Sequence, residues 1–173
     1  MEKRLGAVAA FLLAGSLFVP YWQTKLFAPQ YRHGLKATLY AHKLSGDIEE
    51  IDNLNHYVGV VKLGSLARAE RAMAVPFVLL LGLFCVLVPL TNRQLARWLM
   101  ALAVISYPVV FVLDMAFWMR HASTHLNPMA PLKLKPFSIP VMGVGKVGQF
   151  RSEVGPMPGF FLAVAAAAVM IFI

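Results

Sequence analysis

The sequence predicts an all-α membrane protein with four transmembrane helices and two long extramembrane loops. The loops form a small cap on one face, with a short hairpin as an option inside it. Three observations carry this. Residues 72–91 and 98–119 are apolar runs, the first uncharged and the second carrying only Asp114, joined by a short connector holding Arg93 and Arg97. Further apolar runs, 5–22 and 157–173, stand near the two ends of the chain. The composition agrees: 173 residues are 59% hydrophobic and 14% charged, with mean hydropathy +0.67, more apolar surface than a water-soluble domain of this size can hide.

Length makes the central runs spans. A helix rises about 1.5 Å per residue, so about 20 apolar residues cross the hydrocarbon core. A connector as short as 92–97 can only turn the chain back, which makes 72–119 a helical hairpin. Residues 5–22 follow Lys3 and Arg4, as in a secretory signal. The run is long for that role and ends in Pro20, Tyr21 and Trp22, whose aromatic rings suit a membrane interface, so it is read as an uncleaved first span. Residues 157–173 form a short fourth span.

The chain is then a single membrane domain, 1–173, capped by loops 23–71 and 120–156. Residues 35–44 alternate loosely, as a strand does, and Ser45-Gly46-Asp47 is a turn signal. Residues 48–54 fit a short acidic helix or a second strand, and their periodicity does not arbitrate. Residues 63–71 alternate apolar and basic positions, as an interfacial approach to the second span does. Pro128, Pro131, Pro136 and Pro140 exclude a long helix from the second loop. The positive-inside rule puts Lys3, Arg4, Arg93 and Arg97 in the cytoplasm of a bacterial inner membrane, and both loops in the periplasm.

The formal charge of +8 would suggest nucleic acid in a soluble protein. Here basic residues flank spans and meet anionic headgroups of the bilayer, and no recognition motif accompanies them, so nucleic acid is excluded as a partner. The single cysteine, Cys85, excludes an intrachain disulfide and a cysteine-rich metal site. Gly143-Val-Gly145-Lys146-Val-Gly148 matches GxGxxG, but Pro140 precedes it and no βαβ unit surrounds it. It is read as glycine-permitted turns and no nucleotide is expected.

All five histidines lie in the two loops, and Met115, Met119, Met129, Met142 and Met157 flank the same face. Imidazole and thioether suit copper, thioether favouring Cu(I). His121 and His125, four residues apart, share a face if the third span continues outward. The candidate ligands are His56, His121, His125 and Met129, against the plain alternative of interfacial side chains. Asp114 needs a partner at its depth; pairing with Arg120 or a loop lysine is favoured over a functional role. Ser123 and Thr124 stand between two histidines without an orienting acid. No catalytic constellation emerges, and a non-enzymatic role is expected.

Residues 31–35 (YRHGL), 45–47 (SGD), 54–59 (LNHYVG), 125–133 (HLNPMAPLK) and 158–160 (PGF) together resemble a family of small polytopic membrane proteins. These are encoded beside nitrous-oxide reductase, in the clade II type of gene cluster, and its copper-insertion machinery. The resemblance implies an accessory role in denitrification: assembly, copper supply or electron delivery at the periplasmic face. Its partner would be a periplasmic copper enzyme or its maturation proteins. It carries no catalytic residues, and it favours His56 and His125 over His121 and Met129, which look individual to this sequence. Two alternatives stand beside it. One is a quinol-interacting or electron-transfer subunit with Trp118, Tyr57 and His56 lining the pocket. The other is a scaffold that docks a larger complex.

Overall fold

The computed structural model describes residues 1–132 and 135–173; Lys133, which closes one of the phrases above, lies outside the described residues. Helices α1 (Glu2–Ser16), α2 (Ile48–Val58), α3 (Arg68–Leu87), α4 (Gln94–Thr124) and α5 (Pro158–Met170) form a bundle and a cap helix. Strands β1 (Trp22–Ala28), β2 (Tyr31–Leu39), β3 (Leu44–Gly46), β4 (Gly143–Val147) and β5 (Phe150–Pro156) form one antiparallel sheet in the order β3-β2-β1-β5-β4. The expected all-α protein with four transmembrane helices is therefore overturned. The fold is mixed, a helical bundle carrying a five-stranded sheet.

The reason lies in where each apolar run stops being helix. Among the described residues only Arg68–Leu90 and Gln94–Thr124 are long and apolar enough to cross a membrane. With 15 and 13 residues, α1 and α5 fall short of a hydrocarbon core about 30 Å thick at about 1.5 Å per residue. The run 5–22 is helical only to Ser16. A tight turn follows, in which the Leu17, Phe18 and Val19 amides donate to residues three back, and the Tyr21 amide then donates to the Leu39 carbonyl at 2.8 Å. Tyr21 and Trp22 are 0% and 2% exposed, so they are buried anchors rather than an interfacial belt.

Strands from both long segments join in one sheet, meeting at β1 and β5. β1 lies between β2 and β5, with Lys25 opposite Lys36 on one side and Glu153 on the other. Alternation by two sorts the side chains. Trp22, Thr24 and Leu26, Leu35, Ala37 and Leu39, and Phe150, Ser152 and Val154 share one face. Residues 48–58, open between helix and strand, form α2, whose Ile48, Ile51 and Leu54 pack on Leu35, Ala37 and Leu26. Asp47 ties its start to the sheet by accepting from the Lys36 amide at 2.8 Å. Gly59 ends it in the left-handed region at φ 79°, where a Cβ would come within 2.9 Å of the Asn127 carbonyl oxygen.

In the bundle, α1 packs against both α3 and α5, and α4 closes against α5. Small buried residues, Gly6, Ala9 and Ser16 on α1 and Ala163, Ala166 and Ala167 on α5, let the helices of the bundle approach closely, Gly6 against the Cys85 carbonyl of α3. At one end Arg97 donates to Glu2 at 3.4 Å and to the Ile173 carbonyl at 3.0 Å. At the other, the Tyr107 hydroxyl donates to that of Tyr21 at 3.2 Å, and Ser16 Oγ lies 2.6 Å from the same oxygen. These buried bonds join α1, β1 and α4 where bundle meets cap.

Candidate functional site

The sheet is a plate with two unlike faces. Its inner face, with Trp22, Thr24, Leu39, Ser152 and Val154, looks onto α2, the outer part of α4 and the segment 137–141. That segment is held by a hydrogen bond from Trp22 Nε1 to the Val141 carbonyl at 2.9 Å, and Pro140 packs where a Cβ on Gly145 would stand. Together they leave an almost wholly apolar cavity of about 190 Å³. The outer face is basic. Lys25, Lys36, Lys146 and Arg151 lie on it, with Glu153 bonded to Arg151 at 2.7 Å.

A second cavity, about 330 Å³, opens between α3 and α4 just below the cap. Its lining is apolar except for Glu70, Arg71, Tyr107, Asp114 and Trp118, and the Tyr107 hydroxyl is already bonded to Tyr21. Arg71 is committed elsewhere: Nη2 donates to the Gly64 and Leu66 carbonyls at 2.9 and 2.8 Å, and Nε to that of Ala67 at 3.3 Å. These bonds hold the sharp entry to α3, where Ala67 takes a positive φ of 47°. Asp114 pairs with neither Arg120 nor a lysine among the described residues. It lies beside the indole of Trp118, one helical turn on and close enough to draw a weak interaction from it, while no acceptor stands in good hydrogen-bonding geometry to the buried Trp118 Nε1.

The candidate metal ligands lie at the rim of the cap. His125 caps α4 and His121 sits in its last turn, their rings stacked at 4.2 Å and 24°. His56 is exposed at the end of α2, and Met129 is exposed on the loop beyond α4. That loop joins the end of α2 through bonds from the Asn127 amide to the Gly59 carbonyl (2.8 Å) and from the Leu132 amide to that of Tyr57 (3.0 Å). The sequence-distant phrases at 54–59 and 125–133 thus meet. Stacked imidazoles aim their in-plane lone pairs side by side, and His125 Nδ1 already faces Thr124 Oγ1 at 3.1 Å and the His121 carbonyl at 3.2 Å. Among the described residues no group of three or more His, Cys, Asp or Glu side chains is placed to hold a metal ion.

Other candidates resolve simply. The GxGxxG segment is strand β4 and the turn into β5, with Gly148 at φ 57°; β5 follows it rather than a helix. Ser123 Oγ and Thr124 Oγ1 both donate to the Arg120 carbonyl. Cys85 is buried in the bundle core. Of the three residues suggested for a quinol pocket, Trp118 lines the α3–α4 cavity, whereas His56 and Tyr57 line neither cavity. What sequence reasoning missed is the cavity pair itself. Its trace is the spacing of Met115 with Met119 and Asp114 with Trp118, which puts each pair on one side of α4. Set against known proteins, the chain matches no protein-family model and no curated protein.

Proposed function

We propose that this protein is a non-enzymatic, membrane-embedded accessory of a nitrous-oxide reductase system. In this reading its cap stands in the periplasm and docks a periplasmic copper enzyme or one of that enzyme's maturation proteins. One observation carries the docking role: the outer face of the sheet is a basic surface, Lys25, Lys36, Lys146 and Arg151, turned away from the bundle. Such a face fits an acidic partner and steers its approach. The resemblance supplies the partner's identity, and the rim phrases that carry it, at 54–59 and 125–133, border the same cap. In this reading copper is the partner's metal.

Membrane residence has its own support. Only 22% of the apolar window in either α3 or α4 is buried, so most of that apolar surface faces outward and needs lipid to cover it. Compartment is tested by labelling. Ser45→Cys and Gln149→Cys lie on opposite edges of one sheet and are exposed, while the native Cys85 is buried. A membrane-impermeant maleimide applied to whole cells should label both; labelling only after permeabilisation would place the cap in the cytoplasm and end the periplasmic reading.

Docking is tested with full-length protein immobilised in nanodiscs and exposed to purified nitrous-oxide reductase and its copper-insertion proteins. One of them should be retained at physiological salt and released toward 1 M, as the screening length falls from about 8 to about 3 Å. Lys36→Glu with Lys146→Glu should abolish retention. Retention of none, or retention indifferent to the charge reversal, would remove the docking role.

A further inference from the structure

The cavity under the sheet and the cavity between α3 and α4 are adjoining chambers. Leu39, Leu44, Leu63, Leu66, Met115 and Met119 line both. Volumes of about 190 and 330 Å³ put the pair in the range of small-molecule sites, roughly 300–1,000 Å³. The lower chamber reaches the outside of the bundle past Phe77 and Val110, both exposed. Pro76 and Pro108 lie inside α3 and α4 at this level, and each removes one backbone hydrogen bond from its helix. A guest entering here comes sideways, from whatever surrounds the bundle.

The polar groups define the guest's head. With Arg71 Nε and Nη2 committed to backbone carbonyls and the Tyr107 hydroxyl donating to Tyr21, the lower chamber offers two carboxylates, Glu70 and Asp114, and the buried indole N–H of Trp118. Carboxylates there accept hydrogen bonds and repel anions, which disfavours a fatty-acid or phosphate head. A hydroxyl satisfies both partners at once, donating to Asp114 while accepting from Trp118. Beyond this point the passage is apolar, past Met115 and Met119 and up beneath the sheet, and suits a long chain. Methionine linings adapt to irregular chains.

We propose that the two chambers form a binding site for one hydroxyl-headed lipid drawn from the bilayer, its head between Asp114 and Trp118 and its tail reaching into the cap. Long-chain hydroquinones and isoprenoid alcohols share this chemistry. The site rests on the bundle lying in lipid and is independent of the docking partner, so either reading survives failure of the other.

The test uses the full-length protein in phosphatidylcholine nanodiscs, with decylubiquinol, farnesol and palmitate as separate probes and native mass spectrometry as the readout. Decylubiquinol, farnesol or both should be retained at one per chain, identifying which source the site prefers, and palmitate should not. Asp114→Leu should weaken retention about tenfold, the loss of roughly one hydrogen bond to a charged acceptor. Met119→Trp, which blocks the passage between chambers, should weaken it at least as much. Should that variant fail to fold, Leu44→Trp blocks the passage from the sheet side. Equal uptake of palmitate would overturn the hydroxyl head. Uptake unchanged by the blocking variant, or no uptake of either alcohol, would overturn the site.

Discussion

Leu102 on α4 and Val144 on β4 are equally exposed, 61% each, yet they belong to different surroundings. Leu102 stands among Trp98, Leu99 and Val109, apolar and exposed as well. Val144 lies opposite Glu153, two positions from Lys146. The bundle turns many large apolar side chains outward beside one another, whereas on the outer face of the sheet Val144 stands among charged residues. In the membrane reading proposed above, one chain meets two solvents. An exposed apolar side chain reports which one only through its neighbours.

The largest expected effect attacks the bundle's interior. A Cβ at Gly6 would overlap the Cys85 carbonyl oxygen and lie 3.2 Å from Pro89 Cγ. The obstacle is backbone, which cannot rotate away, so Gly6→Leu must push α1 off α3. We expect a loss of about 3 kcal/mol or more, at the upper end of overpacking, seen as absence of a cooperative thermal transition in detergent. Gly15, with nothing within 4 Å of a Cβ, is the control, and Gly15→Ala should leave the transition in place. Equal behaviour of the two would show that α1 and α3 do not pack this closely.

The next prediction tests the two solvents directly. Leu102→Asp places a charge on the face assigned to lipid, at a cost of about 2.5–3.5 kcal/mol for a site near the bilayer centre. Val144→Asp puts the same charge in water, where surface substitutions stay within about 0.5 kcal/mol. Membrane-fraction yield and thermal stability should fall for the first variant and hold for the second. Matching losses, or none, would dissolve the distinction between the regions.

That distinction also explains what could be read from the sequence. The central hairpin was legible because lipid-facing helices need long uninterrupted apolar runs, and 72–119 supplies them. The sheet was obscured. Trp22 and Tyr21, adjoining an apolar run, have the chemistry of an interfacial belt, and only the pairing of Trp22 with Leu39 and Pro156 shows them to be core. In β4, Gly143 and Gly145 erase the alternation that Val144, Lys146 and Val147 would otherwise display, and Pro140 adds the look of a loop. The alternation at 22–26 and 150–154 was present but rests on few residues, and each half is meaningless until β1 meets β5. Individual site residues, Asp114, Trp118 and the histidines, were visible as chemistry. The cavities were not, because their walls come from segments spread across residues 22–154.

The smallest expected effect concerns the two ion pairs among the described residues, one per region. Arg151 and Glu153 project from the same side of β5 at 2.7 Å, while Arg97 and Glu2 bridge α4 and α1 at 3.4 Å, and each pair is at least partly exposed. Exposed pairs contribute about 0.2–1 kcal/mol, because solvent screens the attraction and ordering two long side chains opposes it. Glu153→Ala and Glu2→Ala should therefore shift the thermal transition little. Arg97→Ala should cost more than Glu2→Ala, since Arg97 also donates to the Ile173 carbonyl and so links α4 to the end of the chain beyond α5 as well as to α1. A double-mutant cycle at Glu2 and Arg97 separates the two contributions. A coupling that vanishes at high salt, leaving the Arg97 effect, identifies the carbonyl bond as the tie. A salt-insensitive coupling above about 1 kcal/mol would mean that water does not reach this end of the bundle, and that the apolar surroundings of α3 and α4 extend past the connector.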